Sequence, residues 1–420
     1  MKNKPVINRL LALILTTILM LGIFPLTASA KTVAQWLEGF STGKDYWFPE
    51  GFAYDITDTE AVWDLITRPI TVLKGDYEVY PLAEPGGKKV NRDKLGGFIN
   101  PKSSAVNVLG EDQDGWTLIE GMDYYNRIIR GYVKTSLLTQ ATPSQHIGIV
   151  IDKLTQTLYV FVDGELFSSC AVSTGLPNDS QPYNETSAGE FLIWSRTGEY
   201  DAEGMLCSYA MRYNGGDMIH EVPHLLNADG SNSYTRYGAL LGTKASHGCI
   251  RIENDANADG LNAKWLWDNL KSEIYAGTFP KIVIWDDAGR EMSYPDDDMP
   301  LYYNPDGGQY YHSDQYCNSV KDKYLPLTAF TYAELDDEAY KNLTPCPSCS
   351  SVLRKDQIDQ DNLGRGAITQ EEYDERQAQR HGGAAAAPAA ATNAPAGDTS
   401  SAGSAASIDD IVITVTTVGN

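Results

Sequence analysis

The sequence runs to 420 residues and carries 56 acidic against 33 basic side chains, a formal net charge of −23 at pH 7. Such an excess of negative charge repels polyanions and excludes nucleic acid as a partner, and otherwise marks only solubility. The length suffices for two or three domains with packed cores, and six cysteines are too few to build a chain of this size on disulfides.

In chain order, Lys2, Lys4 and Arg9 precede an apolar run from Leu10 to Leu26 that ends in Ala28, Ser29 and Ala30. That pattern predicts a signal peptide over 1–30, so the mature chain is expected outside the cell, secreted or wall-associated. Residues 31–64 hold Trp36, Phe40, Trp47, Phe48 and Phe52 and read as an aromatic, helical lead-in. From 65 to 140, the short alternating runs ITVL, EVYPL, AVNVLG, GWTLIE and GYVKTSLL are separated by Gly, Asp and Pro, which predicts a small β-barrel. The polar stretch 139–145, with Pro143, reads as a linker.

The segment 143–287 opens on HIGIVIDKLTQTLYVFVDGELFSSCAVSTG, two strands joined at Asp163-Gly164 and a third leading to a glycine. ETSAGEFLIWS, a strand end at DMIH (217–220), the segment KASHGCIRIEN (244–254), a helix-like stretch from Ala256 to Ile274 and a closing strand at 277–285 follow. Residues 290–355 form a Tyr- and Asp-rich Cys/His module. Residues 356–420 read as a low-complexity, mostly disordered tail, since a charged stretch to Arg380 gives way to Ala, Gly, Pro and Ser. The class is mainly β with some α.

Cys249 needs explaining in a secreted chain. A thiol becomes a nucleophile when a histidine and backbone dipoles favour its ionised form. Gly248 permits unusual backbone angles, and the Gly248 and Cys249 amides can face a developing oxyanion. His247 is a poor base because the intervening glycine turns the chain. His220, at a strand end, is the better candidate, with His224 as its competitor.

SHGCIR (246–251), preceded by YGALLGTKA and an Ile-His strand end and followed by a helix and the strand GTFPKIVI, resembles the L,D-transpeptidase (YkuD-like) catalytic domain. The opening strands and TSAGEF (186–191) resemble that family too. The resemblance implies a β-sandwich catalytic domain with peptidoglycan stem peptides as partners and no cofactor for catalysis. Cys249 would attack the third stem residue and form a thioester, which a second stem's amine resolves into a 3-3 cross-link. His220 would be the base, oriented by a carbonyl. The amides of His247, Gly248 and Cys249 would frame the oxyanion hole, with the His247 side chain buttressing the loop, Ser246 holding it and Arg251 meeting a substrate carboxylate. An L,D-carboxypeptidase or a non-catalytic wall-binding protein are the alternatives. The sequence departs from the family at Glu221, where glycine is usual, at Ser187, where proline is usual, and in the inserted NADGSNSYTR (227–236).

The 65–140 runs resemble bacterial Src-homology-3-like domains, which implies cell-wall binding by the barrel. In the C-terminal module, YYHSDQYC and TPCPSC place His312, Cys317, Cys346 and Cys349 at spacings that suit a structural zinc or, alternatively, a disulfide. This segment resembles the metal-binding part of the Ada repair protein.

Overall fold

The computed structural model describes residues 47–48 and 52–381, apart from 91–96, 111–113, 179, 203, 239, 318, 347–348 and 350. The expected signal peptide, most of the lead-in and the tail beyond 381 lie outside the described residues.

Helix α1 (Thr59–Thr67) is started by the Asp58 side chain, which accepts from the Ala61 amide, and buries Val62, Leu65 and Ile66. Strands β1 (Ile70–Leu73), β2 (Ala105–Val108), β3 (Trp116–Met122), β4 (Ile128–Lys134) and β5 (Leu138–Ala141) form one sheet, ordered β4-β3-β2-β1-β5. The stretch read as a linker therefore begins as an edge strand. Leu138 to Ala141 pair antiparallel with β1, and Gln140 bonds the Thr71 hydroxyl. Polar residues facing water at a sheet edge look like a linker in sequence.

The large sheet contains β6 (Ile147–Asp152), β7 (Thr157–Val162), β8 (Glu165–Ser173), β9 (Gly189–Leu192), β10 (Ser195–Ala202), β11 (Met205–Asn214), β12 (Asp217–Glu221), β15 (Ile250–Ile252) and β16 (Lys281–Trp285). Its order is β10-β11-β12-β15-β8-β7-β6-β16-β9. The two-residue strands β13 (Leu225–Leu226) and β14 (Asn232–Ser233) form a hairpin in the insertion, followed by one helical turn, Thr235–Gly238. Every residue of β6 is buried, because both faces are covered. Ile149 and Ile151 pack with Leu266 of α2 (Ala263–Asn269) and with Ile274 of α3 (Lys271–Ala276). Val150 lies in the opposite core, with α1, β1 and the lead-in aromatics Trp47 and Phe48. The helix-like stretch is thus two short helices, with 256–262 as the loop that leads to the Asn262 cap.

A third sheet, β19-β17-β18-β20, comprises β17 (Pro300–Tyr303), β18 (Tyr310–His312), β19 (Thr328–Thr331) and β20 (Thr344–Pro345). Leu301, Tyr311, Phe330, Tyr332 and Leu335 are its core. Part of the expected tail is ordered: α4 (Lys355–Gly364) and α5 (Gln370–His381) pack together. Their charges are matched internally. Asp359, fully buried, accepts from the Tyr294 hydroxyl at 2.7 Å and from Arg376 at 3.1 Å, and also pairs with Arg380.

Candidate active site

β12 and β15 run parallel, with Ile219 opposite Ile250 and His220 opposite Arg251. Continuing that register backwards sets Met218 beside Cys249 and Asp217 beside Gly248. The α-carbons of His220 and Cys249 are then about 8 Å apart, one strand spacing across and two residues along. Ile219, Ile250 and Ile252 sit in the core, so His220 and Arg251 share the opposite face.

The loop before β15 is fixed by hydrogen bonds. The Thr186 hydroxyl donates to the Gly248 carbonyl at 2.8 Å, and the Tyr213 hydroxyl does so at 3.3 Å. In a trans peptide the N–H opposes the C=O, so pinning this carbonyl turns the Cys249 amide the other way. Ser246 donates to the Cys249 carbonyl at 2.5 Å and accepts from the Gly248 amide at 3.2 Å. Gly248 has φ +114°, and a Cβ there would stand 2.7 Å from Asp217 Oδ1. Both the backbone angle and the lack of space require glycine. The Gly248 amide is thereby turned into the loop, which leaves the Cys249 amide as the outward donor.

Cys249 is half-buried. Its sulfur takes hydrogen bonds from the Met218 backbone amide and the Tyr200 hydroxyl, yet burial first, and then Asp217, push the thiol up to about 12. Burial also pulls His220 down to about 4, against the opposing pull of its bond to the Glu221 carbonyl. That bond, from Nδ1 at 2.6 Å, fixes the tautomer: a carbonyl can only accept, so Nδ1 carries the proton and Nε2 is free to act as base. The Tyr200 ring meets His220 edge-on at 5.7 Å. Among the described residues no hydrogen bond joins His220 to Cys249, so the resting pair is a neutral thiol and a neutral imidazole.

His224 lies elsewhere, beyond the end of β12. Its ring is 5.1 Å from that of Tyr234, and its Nδ1 is 3.7 Å from a Glu221 carboxylate oxygen. The Tyr234 hydroxyl donates to that same carboxylate at 3.0 Å, which ties the inserted hairpin to the end of β12. His247, next in the loop, is exposed. Arg251 is buried and donates to the Ala245 carbonyl at 3.0 Å, which makes it a support of the loop. Its guanidinium still lies within electrostatic reach of both His220 and Cys249.

Four residues near the thiol escaped the sequence reading. Asp217 and Tyr213 flank Gly248, Tyr200 touches Cys249, and Tyr124, in the turn between β3 and β4, comes within electrostatic reach of both Asp217 and Cys249. The N-terminal sheet thus supplies part of the site's wall. Asn126 of the same turn accepts from the Ala188 amide at 2.7 Å, and Tyr124 and Tyr183 stack at 6.4 Å. The DMIH motif contained Asp217, but nothing local shows that it lacks a partner.

In the C-terminal module the ligand atoms of His312, Cys317, Cys346 and Cys349 all lie within 4.8 Å of one another. Cys317 Sγ is 3.9 Å from Cys346 Sγ, and Cys349 Sγ is 3.7 Å from His312 Nδ1. Both distances are close to the about 3.8 Å edge of a tetrahedron with about 2.3 Å metal–sulfur bonds. All six cysteines are free thiols.

Residues 146–284 match the family model of the YkuD L,D-transpeptidase catalytic domain. A candidate L,D-transpeptidase, YciB, of Bacillus subtilis is 28% identical over 131 residues, which cover 30% of this chain and 62% of the relative. The chain therefore spans less than two thirds of that relative's length. Among solved structures, an L,D-transpeptidase from Xylanimonas cellulosilytica is 18% identical, with a TM-score of 0.23, over 34% of this chain and 62% of that one. An L,D-transpeptidase from Mycobacterium smegmatis is 15% identical, with a TM-score of 0.26, over 53% and 92%.

Proposed function

We propose that the protein is a peptidoglycan L,D-transpeptidase that forms 3-3 cross-links through a thioester on Cys249. The observation that carries this reading is the pinned Gly248 carbonyl, which aims the Cys249 amide outward beside a thiol already held by the Met218 amide. Since both partners rest neutral, His220 Nε2 takes the thiol proton as sulfur attacks the carbonyl of the third stem residue. The Cys249 amide donates to the resulting oxyanion. His220 then returns the proton to the departing D-amino acid's amine, leaving the thioester. An amine of a second stem attacks that thioester, and sulfur leaves as the thiol. Secretion, predicted from residues 1–30, places the enzyme with its substrate, and the N-terminal sheet is read as an SH3-like module that contacts the wall.

The test is to incubate the protein with a disaccharide-tetrapeptide and resolve the products by mass spectrometry. A 3-3 dimer is expected. Tripeptide alone would make the enzyme a carboxypeptidase, and unchanged substrate would remove the enzymatic reading.

We also propose that His312, Cys317, Cys346 and Cys349 hold one structural zinc, which would tie β18 to Cys346 and Cys349. Elemental analysis should find one zinc per chain, and chelation should lower the melting temperature. A chain purified without zinc and indifferent to its addition would overturn this.

A further inference from the structure

Eight acidic side chains are buried among the described residues: Asp123, Asp152, Glu190, Asp217, Glu221, Asp286, Asp287 and Asp359. Six of them pair with Lys or Arg. Asp123 binds Arg127, Asp152 binds Arg290, Glu190 binds Lys281 and Arg68, Asp286 and Asp287 bind Lys153, and Asp359 binds Arg376 and Arg380. Glu221 takes the Tyr234 hydroxyl. Asp217, 6% exposed, alone among them has no ion pair or side-chain hydrogen bond. A largely buried carboxylate without a protein donor is costly and leaves its oxygens open to a donor from outside the chain.

Its position narrows that ligand. Asp217 Oδ1 lies against the Gly248 α-carbon, next to the nucleophile, and at the opposite end of β12 from Glu221 and the inserted hairpin. The Gly215–Gly216 turn just before it lines a cleft of about 500 Å³, together with Tyr124, Arg212, Asp76 and Glu78. Arg212 is occupied by the Gly215 carbonyl at 3.1 Å. Tyr124, which faces Asp217, and the turn that immediately precedes Asp217 in the chain thus both border this cleft.

We propose that Asp217 is the receptor and proton acceptor for the ammonium group of the acceptor stem, acting in the second half of the reaction. This rests on the transpeptidase reading above. An amine reaches the site as R–NH3+, which has no lone pair. Asp217 binds it and takes one proton, and the free amine nitrogen attacks the thioester carbonyl. The C–N bond forms, a second N–H proton passes to His220 Nε2, and the C–S bond breaks as that proton is delivered to sulfur. Ammonium and thioester become amide and thiol, and Asp217 later releases the first proton to solvent. Water needs no such receptor, so this carboxylate separates transfer from hydrolysis.

The groups facing Asp217 are Tyr124 from the β3–β4 turn, Tyr213 from β11 and Cys249. Burial alone pushes the Asp217 carboxyl up to about 7. A proton acceptor of that strength is half charged near neutrality and gains capacity as pH rises through 7.

The experiment follows acyl-enzyme mass and the dimer-to-tripeptide ratio from pH 5 to 9 for the wild type, Asp217→Asn and Asp217→Glu, with disaccharide-tetrapeptide as both donor and acceptor. In the wild type the ratio should rise through about pH 7. Asp217→Asn should still form the acyl-enzyme, but its ratio should fall about tenfold or more and lose the rise near 7, leaving only the slope from the amine's own titration. Asp217→Glu should recover part of both. An Asp217→Asn enzyme that acylates and partitions like the wild type overturns the proposal and leaves the transpeptidase reading standing. So does a folded Asp217→Asn protein that no longer acylates, since that places Asp217 in the first half-reaction. A wild type that forms no acyl-enzyme removes the reading itself, and this inference with it.

Discussion

Lys153 follows β6 with its ammonium wholly out of water and meets Glu185 at 2.5 Å and Asp286 at 2.7 Å, while Asp217, nearly as deeply buried at the start of β12, meets no cation. The Lys153 cluster extends to Lys244, whose Nζ is 2.8 Å from Asp287 Oδ2 and 3.3 Å from Glu185. Lys244 stands two residues before Ser246, and Glu185 one before Thr186, the residue that holds the Gly248 carbonyl. The saturated cluster is thus the footing under both loops of the site, while no ion pair reaches Asp217, His220 or Cys249 among the described residues. Where ions serve to hold backbone in place, the fold pairs them. At Asp217, His220 and Cys249 burial instead favours the neutral form of each group.

Removing charge from the two regions should therefore act with opposite sign. Lys153→Met leaves Glu185, Asp286 and Asp287 with Lys244 alone and should cost about 3–5 kcal/mol of stability, read by denaturant unfolding. The cluster also has a pH signature. Burial pushes Asp287 up, but Lys153 and Lys244 outweigh it and hold the carboxyl below its usual value. Its contribution is therefore complete above the unfolded carboxylate value near 4 and is lost as pH falls through the lower folded value.

Gly248→Ala comes next. It brings a Cβ to 2.7 Å from Asp217 and forces φ +114° on an L-residue. A loss of about 2–3 kcal/mol is expected, with acylation reduced at least about a hundredfold. Adding Asp217→Ala should restore part of the stability by relieving the contact, while the backbone strain remains. Full recovery would show that only space requires glycine here.

The last effect has the opposite sign. The folded Asp217 value, about 7, lies above its unfolded one, so the native state binds the extra proton and loses stability as pH rises from about 4 to 7. Asp217→Asn should therefore stabilise the protein at pH 8 by up to about 4 kcal/mol, with the gain vanishing near pH 4. A melting temperature that falls at pH 8 would mean that Asp217 is a structural partner after all.

The residues legible in sequence were those whose role is written locally. The SHGC run with Gly248 before Cys249, the apolar runs of β6 to β8 with the Asp163-Gly164 turn and the Ile-His strand end all announce themselves within a few positions. Register, which sets His220 rather than His224 in the pairing beside β15, is a property of two strands about 30 residues apart in the chain. Tyr124 reaches the thiol from a different sheet, and Lys153 finds Asp286 across 133 residues, so neither leaves a local trace. The charged stretch after 356 looked like a tail because composition cannot reveal that Asp359 is shared by Arg376 and Arg380 within a helical pair. The inserted hairpin was visible as extra length, but its docking on Glu221 through Tyr234 was not.

The central claim is that Cys249 is the nucleophile and His220 its base, both starting neutral. Intact-mass spectrometry of the protein mixed with disaccharide-tetrapeptide tests it most directly. A covalent tripeptide adduct should form on the wild type down to about pH 5, since His220 stays unprotonated until about 4. It should be absent in Cys249→Ala and slowed about a thousandfold in His220→Ala. An adduct that persists in Cys249→Ala, or none in the wild type at any pH, would contradict it.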